Sequence, residues 1–178
     1  LVKIFLQLGV NKLRITGGEP LLRPNLPDLI KRIVAISKDF DLALTTNGLL
    51  LAGQAQSLKR AGLKRLTVSL DTLDEEVFLS LNGYRGTVSQ VLEGIREAQK
   101  AGFHPIKINA VIQKGINDQT VPDLVRYFKE AGNIVRFIEY MDVGNRNNWK
   151  PQLVVPSSEI LKILQKEFKF LWPHMQRL

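Results

Sequence analysis

The chain contains no cysteine. That excludes disulfides and any thiolate-ligated metal centre built from these residues alone. Histidine is nearly as scarce: His104 and His174 are the only two, too few for a multi-histidine metal site. No apolar run approaches the roughly 20 residues that a membrane-spanning helix needs, and no signal-peptide pattern opens the sequence. Basic residues outnumber acidic ones, giving a formal net charge of +8, yet no five of them run together. The aromatics (2 Trp, 3 Tyr and 8 Phe) do not gather beside a basic run, so no stacking platform for a nucleic-acid strand is visible. The excess positive charge therefore reads as a solvated surface or as the counter-charge to a polyanionic small molecule.

What is present is one domain's worth of chain. At 178 residues and 44% hydrophobic content it can bury a sizeable core. Residue 1 is Leu and already sits in an amphipathic stretch with Val2, Ile4, Phe5 and Leu8, so the sequence reads as part of a longer one. Short β-type runs recur at Lys12–Thr16, Leu42–Thr46, Arg65–Asp71, Ile106–Val111 and Ile134–Tyr140. Helical patterns lie between them at Leu26–Ser37, Gln54–Ala61, Glu75–Leu81, Val88–Ala101 and Val121–Ala131, with a further amphipathic helix at Ser158–Phe168. Gly9, Gly62, Gly102 and Gly132 each precede a strand, where a left-handed residue closes a helix. Strict alternation of strand and helix implies a parallel sheet, because parallel strands need crossovers.

Within four strands the side chains alternate in character. Arg14 and Thr16 share a face, as do Thr67, Ser69 and Asp71, and Lys107 and Asn109; Thr45 alternates with Leu42 and Leu44 in the same way. A parallel sheet covered on both sides reads apolar on both, and a closed eight-stranded barrel fills its lumen with aliphatics. Neither describes this chain. One apolar face and one polar face predict a curved, incompletely closed parallel barrel whose concave side holds a polar ligand. The sharpest local signal is Arg14-Ile15-Thr16-Gly17-Gly18-Glu19-Pro20 at a strand's C-terminal end, where ligands gather in α/β folds. Adjacent glycines allow a tight bend and close approach to a ligand. Glu19 places a carboxylate suited to an ammonium there, although taken alone this turn is equally well structural.

The strings LRITGGEPLLR, LTTNGLLL, VSLDTLD, VIQKGIND and RFIEYMDVG run in order from about Leu8 to Gly144. Together they resemble the radical S-adenosylmethionine enzymes, and most of all the GTP cyclase family of molybdenum cofactor biosynthesis. The resemblance implies an α/β fold, a six-stranded partial (β/α) barrel of which five strands are present here, spanning residues 1–150 and followed at 151–178 by the start of a C-terminal region. It implies an enzyme that uses a 5′-deoxyadenosyl radical to convert GTP to (8S)-3′,8-cyclo-7,8-dihydroguanosine 5′-triphosphate. It implies S-adenosylmethionine and two 4Fe–4S clusters as cofactors, a homodimer, a cytoplasmic location, and neither a nucleic-acid nor a membrane partner. Carried over by position, Gly18, Ser69 and Met141 are expected to contact S-adenosylmethionine, and Arg14, Thr45 and Lys107 to hold GTP. Singly, Met141 reads as a core residue and Arg14 or Lys107 as half of a salt bridge.

The family's cluster cysteines have no counterpart in this sequence, and beyond Trp149 the resemblance fades. Radical chemistry is therefore not expected of residues 1–178 alone. Two other readings stay open at this stage: a different radical S-adenosylmethionine enzyme such as a peptide maturase, and a non-catalytic nucleotide-binding fragment.

Overall fold

A computed structural model describes residues 1–37, 40–144 and 149–169. His174 lies outside the described residues, as do residues 170–178. Five strands, β1 (Lys12–Ile15), β2 (Asp41–Thr46), β3 (Arg65–Ser69), β4 (Lys107–Ile112) and β5 (Ile134–Glu139), form one sheet in chain order, every neighbouring pair parallel. The helices are α1 (Val2–Gln7), α2 (Leu26–Val34), α3 (Leu51–Arg60), α4 (Glu75–Asn82), α5 (Val88–Lys100), α6 (Val121–Glu130) and α7 (Ser157–Gln165). This is the partial (β/α) barrel that the alternation predicted.

Sequential strand order with crossovers of one hand puts the connecting helices on one side of the sheet. Burial follows that division. Leu42 and Leu44 of β2, Leu66 and Val68 of β3, and Ile108, Ala110 and Ile112 of β4 face the helices and are buried. They pack with Ile30, Leu58, Ile95 and Phe128 from α2, α3, α5 and α6 in one core. On the opposite side of the sheet, among the described residues, Arg14 and Ser69 are exposed and Lys107 and Asn109 half-buried, while the smaller Ala43 and Thr67 are buried.

Local chemistry explains the element ends. Gly9, Gly62, Gly102 and Gly132 all take positive φ, between 67° and 99°, as the helix-closing reading required. Thr87 and Gln90 build a capping box at the start of α5. The amphipathic start of the chain is the short helix α1, with Ile4, Phe5 and Leu8 exposed. Residues after 150 join the same body. Val154 bridges to Gln113 beyond β4, and Val155, Ile160 and Leu164 are part of the core.

Candidate functional site

The exposed face is best built from register. Arg14 lies opposite Ala43 and Ala43 opposite Arg65; Thr45 pairs with Thr67 and Thr67 with Lys107; Ser69 pairs with Asn109 and Asn109 with Arg136. Paired residues of parallel neighbours point the same way, so all of these share one side. Lys12 and Asp41, also partners, belong to it as well.

Two arginines on this face are held by neutral groups. Arg14 Nη1 donates to Thr45 Oγ1 at 2.8 Å and lies 3.4 Å from Thr67 Oγ1. Arg136 donates twice to Asn109 Oδ1, from Nε at 3.0 Å and from Nη2 at 2.7 Å. Hydroxyl and amide oxygens orient a guanidinium without cancelling its charge, which leaves both cations available to an anion. Arg65 differs. Its Nε donates to Asp41 Oδ1 at 2.6 Å, and this hydrogen bond holds the Asp41 carboxyl below its ordinary range. Arg14, Lys107 and Arg136 therefore remain as positive charge that no described carboxylate pairs with, while Lys12 stands beside Asp41.

At the C-terminal ends of the strands a cleft of about 670 Å³ opens, lined among others by Thr16, Gly17, Gly18, Thr45, Asn47, Ser69 and Arg85. A smaller cavity of about 240 Å³ adjoins it, sharing Asn47, Ser69 and Arg85 and reaching Asp71 and Phe78. The Gly-Gly-Glu-Pro turn forms one wall. Gly17 takes φ +144°, and Glu19 caps the Pro20–Leu22 turn through Leu21 N at 3.0 Å. Glu19 also ties this turn to the end of β2. Its Oε1 accepts from Thr46 Oγ1 and its Oε2 from Asn47 N, both at 2.7 Å. The carboxylate is thus a structural tie with three donors already on it.

Asp71, two residues beyond Ser69, accepts from Val111 N at 2.8 Å. Burial pushes its carboxyl above the ordinary range, opposed by that hydrogen bond. Asn117 locks the same corner by donating to the Asp71 and Val111 carbonyls at 2.8 and 2.9 Å.

The structure therefore brings Gly18, Ser69 and Thr45 to one cleft, with Arg14 attached through Thr45 and Lys107 beside Thr67. Met141 stands apart from this group. It follows β5, is 55% exposed, and is not among the cleft's lining residues. Sequence reading did not select Arg136, Lys12 or Arg85. Arg136 shares its face with Ile134 and Ile138, so its strand shows no polar row, and only its register with Asn109 places it.

Comparison with known proteins agrees with the geometry. The sequence matches the Radical SAM superfamily over residues 1–128. It is 53% identical over 160 residues to a GTP 3′,8-cyclase of Xanthomonas campestris pv. campestris (strain B100), covering 90% of this chain and 47% of that protein. It is 48% identical over 169 residues to a GTP 3′,8-cyclase of Aquifex aeolicus (strain VF5), covering 95% of this chain and 52% of that one. These alignments run beyond the Leu8–Gly144 stretch in which the motifs were recognised. The chain spans about half the length of the curated relatives it matches. Among solved structures, a radical SAM methyltransferase from Sphaerobacter thermophilus superposes with a TM-score of 0.68 at 18% identity, over 93% of this chain and 51% of that chain. With the family match extending over most of its length and the fold in agreement, the chain belongs to the radical SAM superfamily.

Proposed function

We propose that these residues are the central barrel segment of a GTP 3′,8-cyclase, binding GTP on the sheet's exposed face and S-adenosylmethionine at its C-terminal rim. One observation carries this reading. Arg14 and Arg136 are each fixed by neutral acceptors, with Lys107 and Lys12 on the same face. Such an array suits a triphosphate, because oriented donors with uncancelled charge bind phosphate oxygens strongly. Thr45 adds a hydroxyl beside Arg14. A neutral peptide would gain little from three unpaired cations, so this face argues against a peptide maturase.

The cleft residues fit an S-adenosyl ligand. A Cβ at Gly18 would meet no protein atom within 4 Å, so the space beside this glycine is open to a ligand. Ser69 presents an exposed hydroxyl to the same cleft, and Met141 would add a soft apolar contact from beyond β5. When bound, S-adenosylmethionine supplies the radical chemistry. The work of this chain is to set the ribose against the adenosyl group and to neutralise the phosphates.

An iron–sulfur cluster does not fit these residues. The chain has no cysteine, and the described residues contain no group of three or more His, Asp or Glu able to hold a metal. The proposal therefore assigns both cluster ligand sets, and the turnover that depends on them, outside residues 1–178. A homodimeric assembly and a cytoplasmic location belong to the same proposal. No described helix is long and apolar enough to cross a membrane.

A chimera tests the reading. Residues 1–178 replace the matching segment of the Xanthomonas campestris relative, and the purified, cluster-loaded protein is assayed for the cyclised nucleotide by mass spectrometry. The expected result is product formation, lost in the Lys107→Ala chimera. A chimera that cleaves S-adenosylmethionine but leaves GTP unchanged would show that the cation row serves another substrate.

A further inference from the structure

The loop between α4 and α5 has the one bulky left-handed residue among the described residues. Tyr84 takes φ +60°, between Gly83 at +70° and Gly86 at +69°. Aromatic side chains rarely adopt that conformation, and where it persists the surroundings over-determine it. Here the over-determination is visible. Tyr84 N donates to Leu79 O at 2.9 Å. The Asn82 side chain grips the next residue from both sides, accepting from Arg85 N at 3.0 Å and donating to Arg85 O at 2.6 Å. At Gly86 an added Cβ would sit 2.4 Å from Leu49 Cδ2, so the loop is pressed against a residue of the cleft wall.

The result is a fixed backbone carrying an unengaged cation. The Arg85 guanidinium makes no hydrogen bond or ion pair among the described residues, and it borders both adjoining cavities. Among the residues lining the larger cleft it is the single cation, and Glu19 is the single acid. A carboxylate offers about four lone-pair sites, and protein donors occupy three on Glu19. One acceptor site near the glycine turn and one free guanidinium on the lining of the same cleft match the two charges of an α-amino acid.

Resting on the S-adenosylmethionine reading of this cleft, we propose that Arg85 binds the carboxylate of the ligand's amino-acid moiety and so positions its sulfonium end over the sheet. A guanidinium can take a carboxylate through two parallel hydrogen bonds, which sets direction as well as affinity. The clamped backbone spares the cost of ordering the loop on binding, so that only the arginine side chain is left to order.

The test pairs a protein change with a ligand change. The cluster-loaded chimera and its Arg85→Ala and Arg85→Lys variants are titrated by calorimetry with S-adenosylmethionine, with its decarboxylated analogue, and with GTP. Arg85→Ala is expected to weaken S-adenosylmethionine at least about 10-fold and to leave the decarboxylated analogue and GTP unchanged within about twofold. Arg85→Lys is expected to recover part of the loss. Equal weakening of both adenosyl ligands would overturn the assignment, because it would make Arg85 a prop for the loop. Weakening of GTP alone would transfer Arg85 to the phosphates, and no change in any affinity would remove it from the site. Failure of the unsubstituted, cluster-loaded chimera to bind S-adenosylmethionine would overturn the cleft reading itself, and the Arg85 assignment with it.

Discussion

Arg14 reaches across to Thr45 on the neighbouring strand, closing 2.8 Å between Nη1 and Oγ1. The threonine is an orienting group because its β-branched side chain has few rotamers to choose from. Thr67, buried to 2% exposure, stands 3.4 Å away as a weaker second acceptor. If Thr45 acts on GTP through Arg14, the two substitutions must be coupled. Arg14→Ala is expected to lower GTP affinity by about 10- to 100-fold, the range of a lost charge-assisted contact. Thr45→Val keeps the shape, removes the acceptor, and should cost a few-fold. The double variant should be no weaker than Arg14→Ala alone. Calorimetric titration of all four proteins closes this cycle, and additive losses would show that Thr45 touches the nucleotide directly.

Two glycines in neighbouring helices make opposite predictions for stability. Gly94 in α5 faces the end of β2. A Cβ there would lie 2.6 Å from the Gly48 carbonyl oxygen and 3.0 Å from Leu51 Cβ. Both obstacles are backbone or near-backbone, so nothing can rotate away. Gly94→Ala is expected to cost about 1–3 kcal/mol through overpacking and to displace the Asn47–Gly48 turn that Glu19 anchors. Gly53 in α3 has open space where a Cβ would go. Gly53→Ala is expected to stabilise by about 0.5–1 kcal/mol through helix propensity. Urea unfolding of the two variants beside the parent chain reads both, and a tolerated Gly94→Ala would refute the close helix approach.

Much of this architecture can be read from side-chain alternation, and where reading failed the cause is tertiary. Thr67, Ser69, Lys107 and Asn109 announce the polar face because apolar residues separate them. Arg136 is concealed: Ile134 and Ile138 share its face at the sheet edge, where apolar side chains stay partly exposed. Glu19 reads as a free carboxylate because two of its donors, Thr46 and Asn47, are 27 and 28 residues away. Arg85 has no local mark of function, since its role depends on a helical loop returning to a cleft built from β1, β2 and β3. Gly83 and Gly86 flanking Tyr84 were the available hint of an unusual backbone. Met141 is selected by motif resemblance alone: it follows β5 and is not among the residues that line the cleft.

Asp71 is half-buried, and desolvation outweighs the Val111 hydrogen bond, so its folded carboxyl titrates above the ordinary 3.8. The unfolded chain gives up that proton first as pH rises. Between the unfolded and folded values the native state therefore binds more protons, and stability falls with rising pH. The penalty is absent in strong acid, grows above about pH 4, and is fully present once pH passes the folded value. Asp41 contributes with the opposite sign, because Arg65 lowers its titration and the resulting stability is lost only in acid. Asp71→Asn separates the two. The asparagine carbonyl can still accept from Val111 N–H, and it cannot ionise. The variant is expected to match the parent near pH 3 and to be the more stable protein at neutral pH, while both keep the acid limb that Asp41 supplies. Urea unfolding from pH 3 to pH 8 measures the difference. A variant destabilised by the same amount at every pH would mean that the corner needs the geometry of a carboxylate and that its charge carries no penalty.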